Sequence, residues 1–202
     1  MSKQTGNPGH INKKAAKRIA TRKRILDTAT YLFARLGYHK TTIQDIAYHI
    51  GMTTGAVFHH YKSKTDILDD VVEELNQSFD QYIEFLEEDH TDFKAMIHGM
   101  MEIFMDRFHN QPDSIIALAS LAAEFSGIRG PVIVKIQAAY DIFVDAFEEA
   151  LNRIEAKPTN RAAAVCIIST LQGIALQALV RDGEMDIEDL IAGFISLVNG
   201  PA

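Results

Sequence analysis

The sequence holds a single cysteine, Cys166, and no tryptophan. One cysteine excludes an intrachain disulfide framework and a thiolate zinc cluster, and suits a reducing compartment. Five prolines and 12 glycines in 202 residues exclude a collagen-like or loop-dominated chain. The first 24 residues are polar and basic, with no apolar segment of signal-peptide type, so a cytoplasmic location is expected. A P-loop, a dinucleotide glycine signature and a nucleophile motif are also missing. The chain is therefore expected to be no enzyme and to carry no catalytic residue, metal or cofactor. What it has is 47% hydrophobic residues, enough for a core in one or two small domains, rich in helix-favouring Ala, Leu, Ile and Glu.

The formal net charge of -7 conceals a division. Residues 1–64 hold 12 Lys and Arg against Asp27 and Asp45, a net of +10; residues 65–202 hold 8 basic and 25 acidic residues, a net of -17. A basic segment ahead of an acidic body suggests a small module drawn to polyanions and a larger part that is not. Charge alone also fits a solvated basic helix, so the residue pattern has to decide.

Residues 1–12 lack periodicity and contain Gly6, Pro8 and Gly9, which predicts a flexible arm. A helix is expected from Lys13 to Leu36, ended by Gly37, with Ile25, Ala29, Leu32, Phe33 and Leu36 at helical spacing. Thr42 and Asp45 form a capping box for a short second helix. Gly51 breaks the chain, and Thr53 or Thr54 caps a third helix over residues 55–61. Ser63 and Asp66 open a long helix, expected to run unbroken to Glu88. Further helices are expected from Thr91 or Asp92 to His109, Pro112 to Phe125, Val132 to Glu155, Asn160 to Arg181 and Ile187 to Val198, with Asp182-Gly183 as a turn. No segment has strand periodicity. The expected fold is all-α, with about nine helices. Ala162–Val180 is long enough to raise a membrane question, but Ser169, Thr170, Gln172, Gly173 and Gln177 interrupt it, so a packed helix is preferred and no membrane is expected.

Thr41–Lys64 is the informative region. Ile43, Ile46, Ala47 and Ile50 make one helical face, Val57, Phe58 and Tyr61 another, and the turn between them holds Gly51, which fits a helix-turn-helix. The run Thr21-Arg22, Ile25-Leu26-Asp27, Ala29, Leu32-Phe33, Gly37-Tyr38, Thr42-Ile43, Asp45-Ile46-Ala47, Gly51, Gly55, His60-Tyr61, Ser63-Lys64 and Leu68 resembles the TetR family of transcriptional regulators. About fifty residues carry the resemblance; the rest of the chain matches only as a helical body of suitable length.

The resemblance implies a flexible arm at 1–12, an N-terminal three-helix DNA-binding domain at 13–63 and a helical effector-binding and dimerisation domain at 64–202. It implies a ligand-responsive repressor acting as a homodimer on a palindromic operator in double-stranded DNA. Thr42 and Lys64 would contact phosphates, Thr53, Thr54, Gly55 and His59 would face the groove, and His60 would sit beside the backbone. Arg22 belongs to the same candidate set, within the strongly basic segment 13–24. The family usually has Tyr where Phe58 stands, and often Phe where Tyr61 stands. Phe58 cannot donate to a phosphate, so that role is given up or passes to His59, His60 or Tyr61, with core packing the competing role for Phe58 and the preferred one for Tyr61.

Family members dimerise through their last two helices, which here nominates Ile168, Leu171, Ala175, Leu190, Phe194 and Leu197, with completion of the monomer core the competing role. The middle helices would hold a pocket for an unidentified apolar or amphipathic effector, lined by Met100, Phe104, Phe108, Phe125, Tyr140 and Phe143. The row His98, Glu102, Asp106 and His109 shares a helical face that suits a metal, or more simply a solvated surface. Cys166, amid Ala, Val and Ile, is expected to be buried and inert.

Overall fold

Most helix starts carry the chemistry expected of them. Thr42, Thr53, Ser63, Asp92 and Asp186 each accept, on a side-chain oxygen, the backbone amide three residues ahead. Pro112 and Pro131 open their helices, where a missing N–H costs nothing. The computed structural model describes residues 8–181 and 184–200, with side chains from Lys13 onward in the first helix. Ten helices lie among the described residues: α1 (Pro8–Leu36), α2 (Ile43–His49), α3 (Thr54–Phe58), α4 (Lys64–Gln77), α5 (Asp80–Glu87), α6 (Phe93–Asn110), α7 (Pro112–Phe125), α8 (Pro131–Ile154), α9 (Asn160–Arg181) and α10 (Ile187–Asn199). No strand occurs among them.

Three details differ from expectation. Helix α1 begins at Pro8 rather than Lys13, because proline suits a first helical position; residues 1–7 of the expected arm lie outside the described residues, as does the Asp182-Gly183 turn. The third helix stops at Phe58, leaving His59, His60 and Tyr61 in the turn that follows. The long fourth helix is broken at Ser78-Phe79. There the Ser78 hydroxyl donates to the Leu75 carbonyl at 2.5 Å, and the Arg107 guanidinium draws the Ser78 carbonyl out of the helical ladder.

Two apolar clusters hold the helices together. The first joins α1–α4 to α7 and the start of α8, through Ile25, Leu32, Phe33, Ile46, Val57 and Leu68 against Leu118, Leu121 and Ile136. It runs past residues 63–64, because α4 contributes Ile67, Leu68, Val71, Val72 and Leu75 to it. The second cluster lies among α5, α6, α8, α9 and α10, centred on Met96, Met100, Phe104, Phe143 and Phe147. Helix α7 serves both, and it packs more extensively on α1 than on any other helix. Polar contacts reinforce that seam. Arg35 Nε donates to Asp113 at 2.6 Å and Ser120 Oγ donates to the Phe33 carbonyl at 3.3 Å, while Lys135 of α8 pairs with Asp69 of α4 at 2.6 Å.

Candidate functional site

The helix-turn-helix is set by small residues and backbone groups. Ala47, 2% exposed, gives α3 room to approach α2, and its carbonyl accepts from Met52 N at 2.8 Å. Gly51 turns the chain with φ +65°, a left-handed value that costs a residue with a Cβ about 1 kcal/mol or more. Arg24 Nη2 donates to the Ile50 carbonyl at 2.8 Å and caps the end of α2. The tip that results presents Thr53, Gly55, Phe58 and His59 as exposed residues, with Thr54 half-buried. Phe58 is 49% exposed and so is not core. Sequence reasoning missed Tyr48 on α2, an aromatic 84% exposed, whose signal was its place off the Ile43–Ile46–Ala47–Ile50 face.

Several of the nominated DNA contacts are engaged within the protein. Tyr61 is 3% exposed, and its hydroxyl donates to Asp70 Oδ2 at 3.0 Å, which corrects its place among the contact candidates. Burial and Asp70 together push its phenol well above the ordinary tyrosine range. Arg22 lies 4.3 Å over the Tyr61 ring, pairs with the same Asp70 carboxylate and reaches the His60 carbonyl at 3.4 Å. It braces α1 against α4 instead of projecting outward. Lys64 Nζ donates to the Tyr38 and Thr41 carbonyls at 2.8 and 2.9 Å and sits 4.1 Å over the Tyr38 ring. Burial lowers its pKa, opposed by the charge of Glu124. Thr42 is exposed, but its hydroxyl donates to Asp45 Oδ2 at 2.7 Å within the capping box. Those hydrogen bonds hold the Asp45 carboxyl below its usual range.

His60 is half-buried, with Nδ1 buried and unpartnered. Burial lowers its pKa, and His59, Arg18 and Arg22 lower it further. It is neutral at pH 7. In the basic segment Arg22, Lys23 and Arg24 have internal partners, Lys23 pairing with both Asp27 and Glu74. Lys13, Lys14, Lys17 and Arg18 are exposed and join none of the ion pairs among the described residues.

The body holds a small cavity of about 30 Å³ between the α4–α5 break, α5, α6, α7, α8 and α9, near Phe79, Tyr82, Phe104, Arg107, Phe143 and Leu171. Of the six nominated lining residues, Phe104 and Phe143 reach it. Met100 is fully buried in the second cluster, Phe108 packs on that cluster without lining the cavity, and Tyr140 packs on both clusters, its hydroxyl accepting at 2.8 Å from Gln172 in the cavity wall. Phe125 is a correction: it belongs to the first cluster, 5.3 Å from the Tyr38 ring, because the end of α7 reaches α1 rather than the body. Arg107 was missed. Its signal was a cation on α6 one turn from Phe104, off the charged face of His98, Glu102, Asp106 and His109. Those four residues are all exposed, and His109 meets Glu188 at 3.1 Å.

The expected dimer residues divide. Ile168, Leu171 and Ala175 are at most 4% exposed and face the protomer's own core; this corrects their assignment to a partner. Leu190 and Phe194 pack partly on the second cluster. Leu197, 81% exposed, is open, as are Val165, Leu176 and Val180 on the outer face of α9. Cys166 lies on that face too, exposed rather than buried, because the turn that points inward there belongs to Ala164 and Ile168.

Comparison with known proteins agrees with this geometry. Residues 25–71 match the family model described as bacterial regulatory proteins, tetR family. Among curated relatives, the HTH-type transcriptional repressor Rv1474c of Mycobacterium tuberculosis is 47% identical over 45 residues, 22% of this chain and 24% of that protein. The match spans about a quarter of that relative's length. The MbdR regulator of Azoarcus sp. CIB superposes with a TM-score of 0.76 at 21% identity, covering 89% of this chain and 98% of that one. AibR, solved with isovaleryl coenzyme A and operator DNA, gives 0.71 at 20% identity, covering 87% and 96%. These two likenesses concern the fold, whereas the N-terminal match concerns the sequence itself. Residues 25–71 thus carry the sequence of the tetR family of bacterial regulatory proteins, and the described length has the fold of these solved regulators.

Proposed function

We propose that this protein is a ligand-responsive transcriptional repressor of the cytoplasm, binding a palindromic operator in double-stranded DNA as a homodimer. The observation that carries the reading is the exposed α3 tip (Thr53, Gly55, Phe58, His59) on a domain whose unpaired lysines stand apart from an acidic body. The α3 residues read base edges, Thr42 and the exposed lysines of α1 hold phosphates, and Phe58 meets the DNA through apolar contact. Lys64, Arg22 and Tyr61 hold the domain in shape. One such tip spans too few base pairs for selectivity, so two copies with two-fold symmetry are required.

The second copy docks on the outer face of α9 and α10. Ala162, Val165, Cys166, Ser169, Gly173, Leu176 and Val180 recur at helical spacing along α9, all partly or largely open, and Leu197 adds to them from α10. Nothing lies within 4 Å of a Cβ built on Gly173 or Gly193, so a partner helix can approach closely at both. Helix α9 is long and apolar enough to cross a membrane, with 28% of its most apolar window buried in the protomer. Its packing against α7, α8 and α10 favours a subunit interface over a bilayer.

The effector is a small amphipathic molecule seated near Phe104 and Phe143; AibR, a protein of the same fold, was solved with isovaleryl coenzyme A. Its binding favours dimers in which the two α3 tips no longer match the operator spacing, with α4 as the link. The test is selection from a random duplex library by the intact protein, together with sedimentation of the free protein. An inverted repeat and a dimer support the reading; sequence-blind recovery, or a monomer that still selects a single half-site, contradicts it.

A further inference from the structure

Arg107 projects from α6 into the side of the body cavity. One terminal nitrogen donates to the Ser78 carbonyl, the other reaches Ser114 Oγ at 3.3 Å, and the guanidinium lies 5.4 Å from the Tyr82 ring centroid. The Nε–H is buried and has no hydrogen-bond partner. No carboxylate approaches Arg107 within ion-pair distance among the described residues, whereas Arg22, Arg35 and Arg161 each pair with at least one. Burial of the guanidinium lowers its pKa, but arginine stays charged throughout the working pH range. A cation in apolar surroundings without a counter-charge is costly, and a planar guanidinium is shaped to take a carboxylate through two parallel hydrogen bonds. Beside it stand Tyr82, Phe104, Phe143 and Leu171, each at most 4% exposed, which offer an apolar wall.

The geometry points to an apolar carboxylic acid as the effector, its carboxylate paired with Arg107 and its hydrocarbon part lying between Phe104, Phe143 and Leu171. This deepens the regulator reading and rests on it. A cavity of about 30 Å³ holds little more than a water, so the acid has to displace Phe79, which is stacked on Phe143 with ring centroids 5.0 Å apart. Phe79 occupies the break between α4 and α5, and Ser78 beside it gives its carbonyl to Arg107. An arriving carboxylate competes for that guanidinium and frees the Ser78 carbonyl. Seating the ligand therefore loosens the lower end of α4, whose upper end is fixed to the DNA-binding domain through Lys64 on the Tyr38 and Thr41 carbonyls. Arg107 is thus both the recognition group for the acid and the point where its arrival is felt.

The experiment is calorimetric titration of the full-length protein, without DNA, with butanoate, hexanoate, octanoate and decanoate. The alcohol and the coenzyme A thioester of the best-bound chain length follow. Saturable binding of at least one acid is expected, with the matched alcohol and thioester at least about 10-fold weaker. Arg107→Gln should weaken the acid by roughly 10- to 100-fold and leave the alcohol unchanged. Arg107→Lys, which keeps the charge without the fork, should fall between and covers the case in which the glutamine variant does not fold. Alcohol or thioester binding as tight as the acid, acid binding unaffected by Arg107→Gln, or no binding by any acid of the series would each overturn the proposal. Operator selection is read separately: a protein that selects a repeat and binds no acid keeps the regulator reading and loses this one.

Discussion

Glu124 closes the last turn of α7, where a carboxylate is opposed by the helix dipole, and its two oxygens instead accept the Tyr38 and His39 amides at 2.5 and 3.0 Å. It ties the turn after α1 to the body, and Gly37 must lack a Cβ there, since one would lie 2.9 Å from Glu124 Oε1 at a φ of +89°. Glu124→Gln keeps the shape but surrenders the charge and one acceptor. It should lower stability in urea unfolding by about 1.5–3 kcal/mol, the usual worth of a hydrogen bond to a charged group; unchanged stability would mean that Glu124 does not fasten this turn. His60 makes a pH prediction. Its folded pKa is lowered by burial first and by neighbouring cations second, so below the unfolded value of 6.5 the unfolded chain binds more protons than the native one. Stability should fall as pH drops through 6.5, then level off below the folded pKa. His60→Gln should flatten that segment of the profile, and a profile identical to that of the parent protein would refute the assignment. Neither role was legible in the sequence: a histidine or glutamate shows its type there, but not the amides or cations that face it from distant parts of the chain.

Helix boundaries were largely legible, because Thr42, Thr53, Ser63, Asp92, Pro112, Pro131 and Asp186 mark them through local chemistry that needs no tertiary contact. The break at Ser78-Phe79 was not, since no Gly or Pro stands there and its cause includes Arg107, 29 residues away. Helix α9 shows a different limit. Apolar residues surround it, so periodicity does not distinguish the face covered by the protomer from the face left open, and Ile168, Leu171 and Ala175 were nominated for the wrong one. A paired substitution separates the faces. Leu176→Asp, at a site 50% exposed, should yield a folded monomer in sedimentation, while Leu171→Asp, at 4%, should abolish the fold. A dimer that survives Leu176→Asp would place the interface elsewhere. At the other end of the chain, Lys13 to Ala20 of α1 is exposed throughout, so removing residues 1–17 deletes Lys3, Lys13, Lys14 and Lys17 without opening a core. The logarithmic salt slope of DNA binding should flatten by about 0.9 for each phosphate no longer neutralised, and an unchanged slope would mean that these lysines touch no phosphate.

Across the whole molecule, the +10 of residues 1–64 and the -17 of the remainder would, under the proposed function, orient the protein on its approach to DNA, drawing the helix-turn-helix toward the polyanion and repelling the body. The internal partners of Arg22, Lys23, Arg24 and Lys64 reduce the charge that would be free for DNA, and under the proposed function leave more of the task to the α3 tip and the early turns of α1. The first apolar cluster makes α1–α4 and α7 one packed unit, so under the proposed function a change at the body cavity would reach α3 through α4 and α7 rather than across a flexible linker. The central claim is sequence-specific recognition by two such units at once. Its most direct test is an anisotropy titration of the intact protein against the selected inverted repeat, the same duplex with one half-site scrambled, and a fully scrambled duplex, at one salt concentration. Two protomers should bind the intact repeat, with affinity at least about 1,000-fold above the fully scrambled duplex and a large drop when one half-site is removed. Equal affinity for all three duplexes would contradict it.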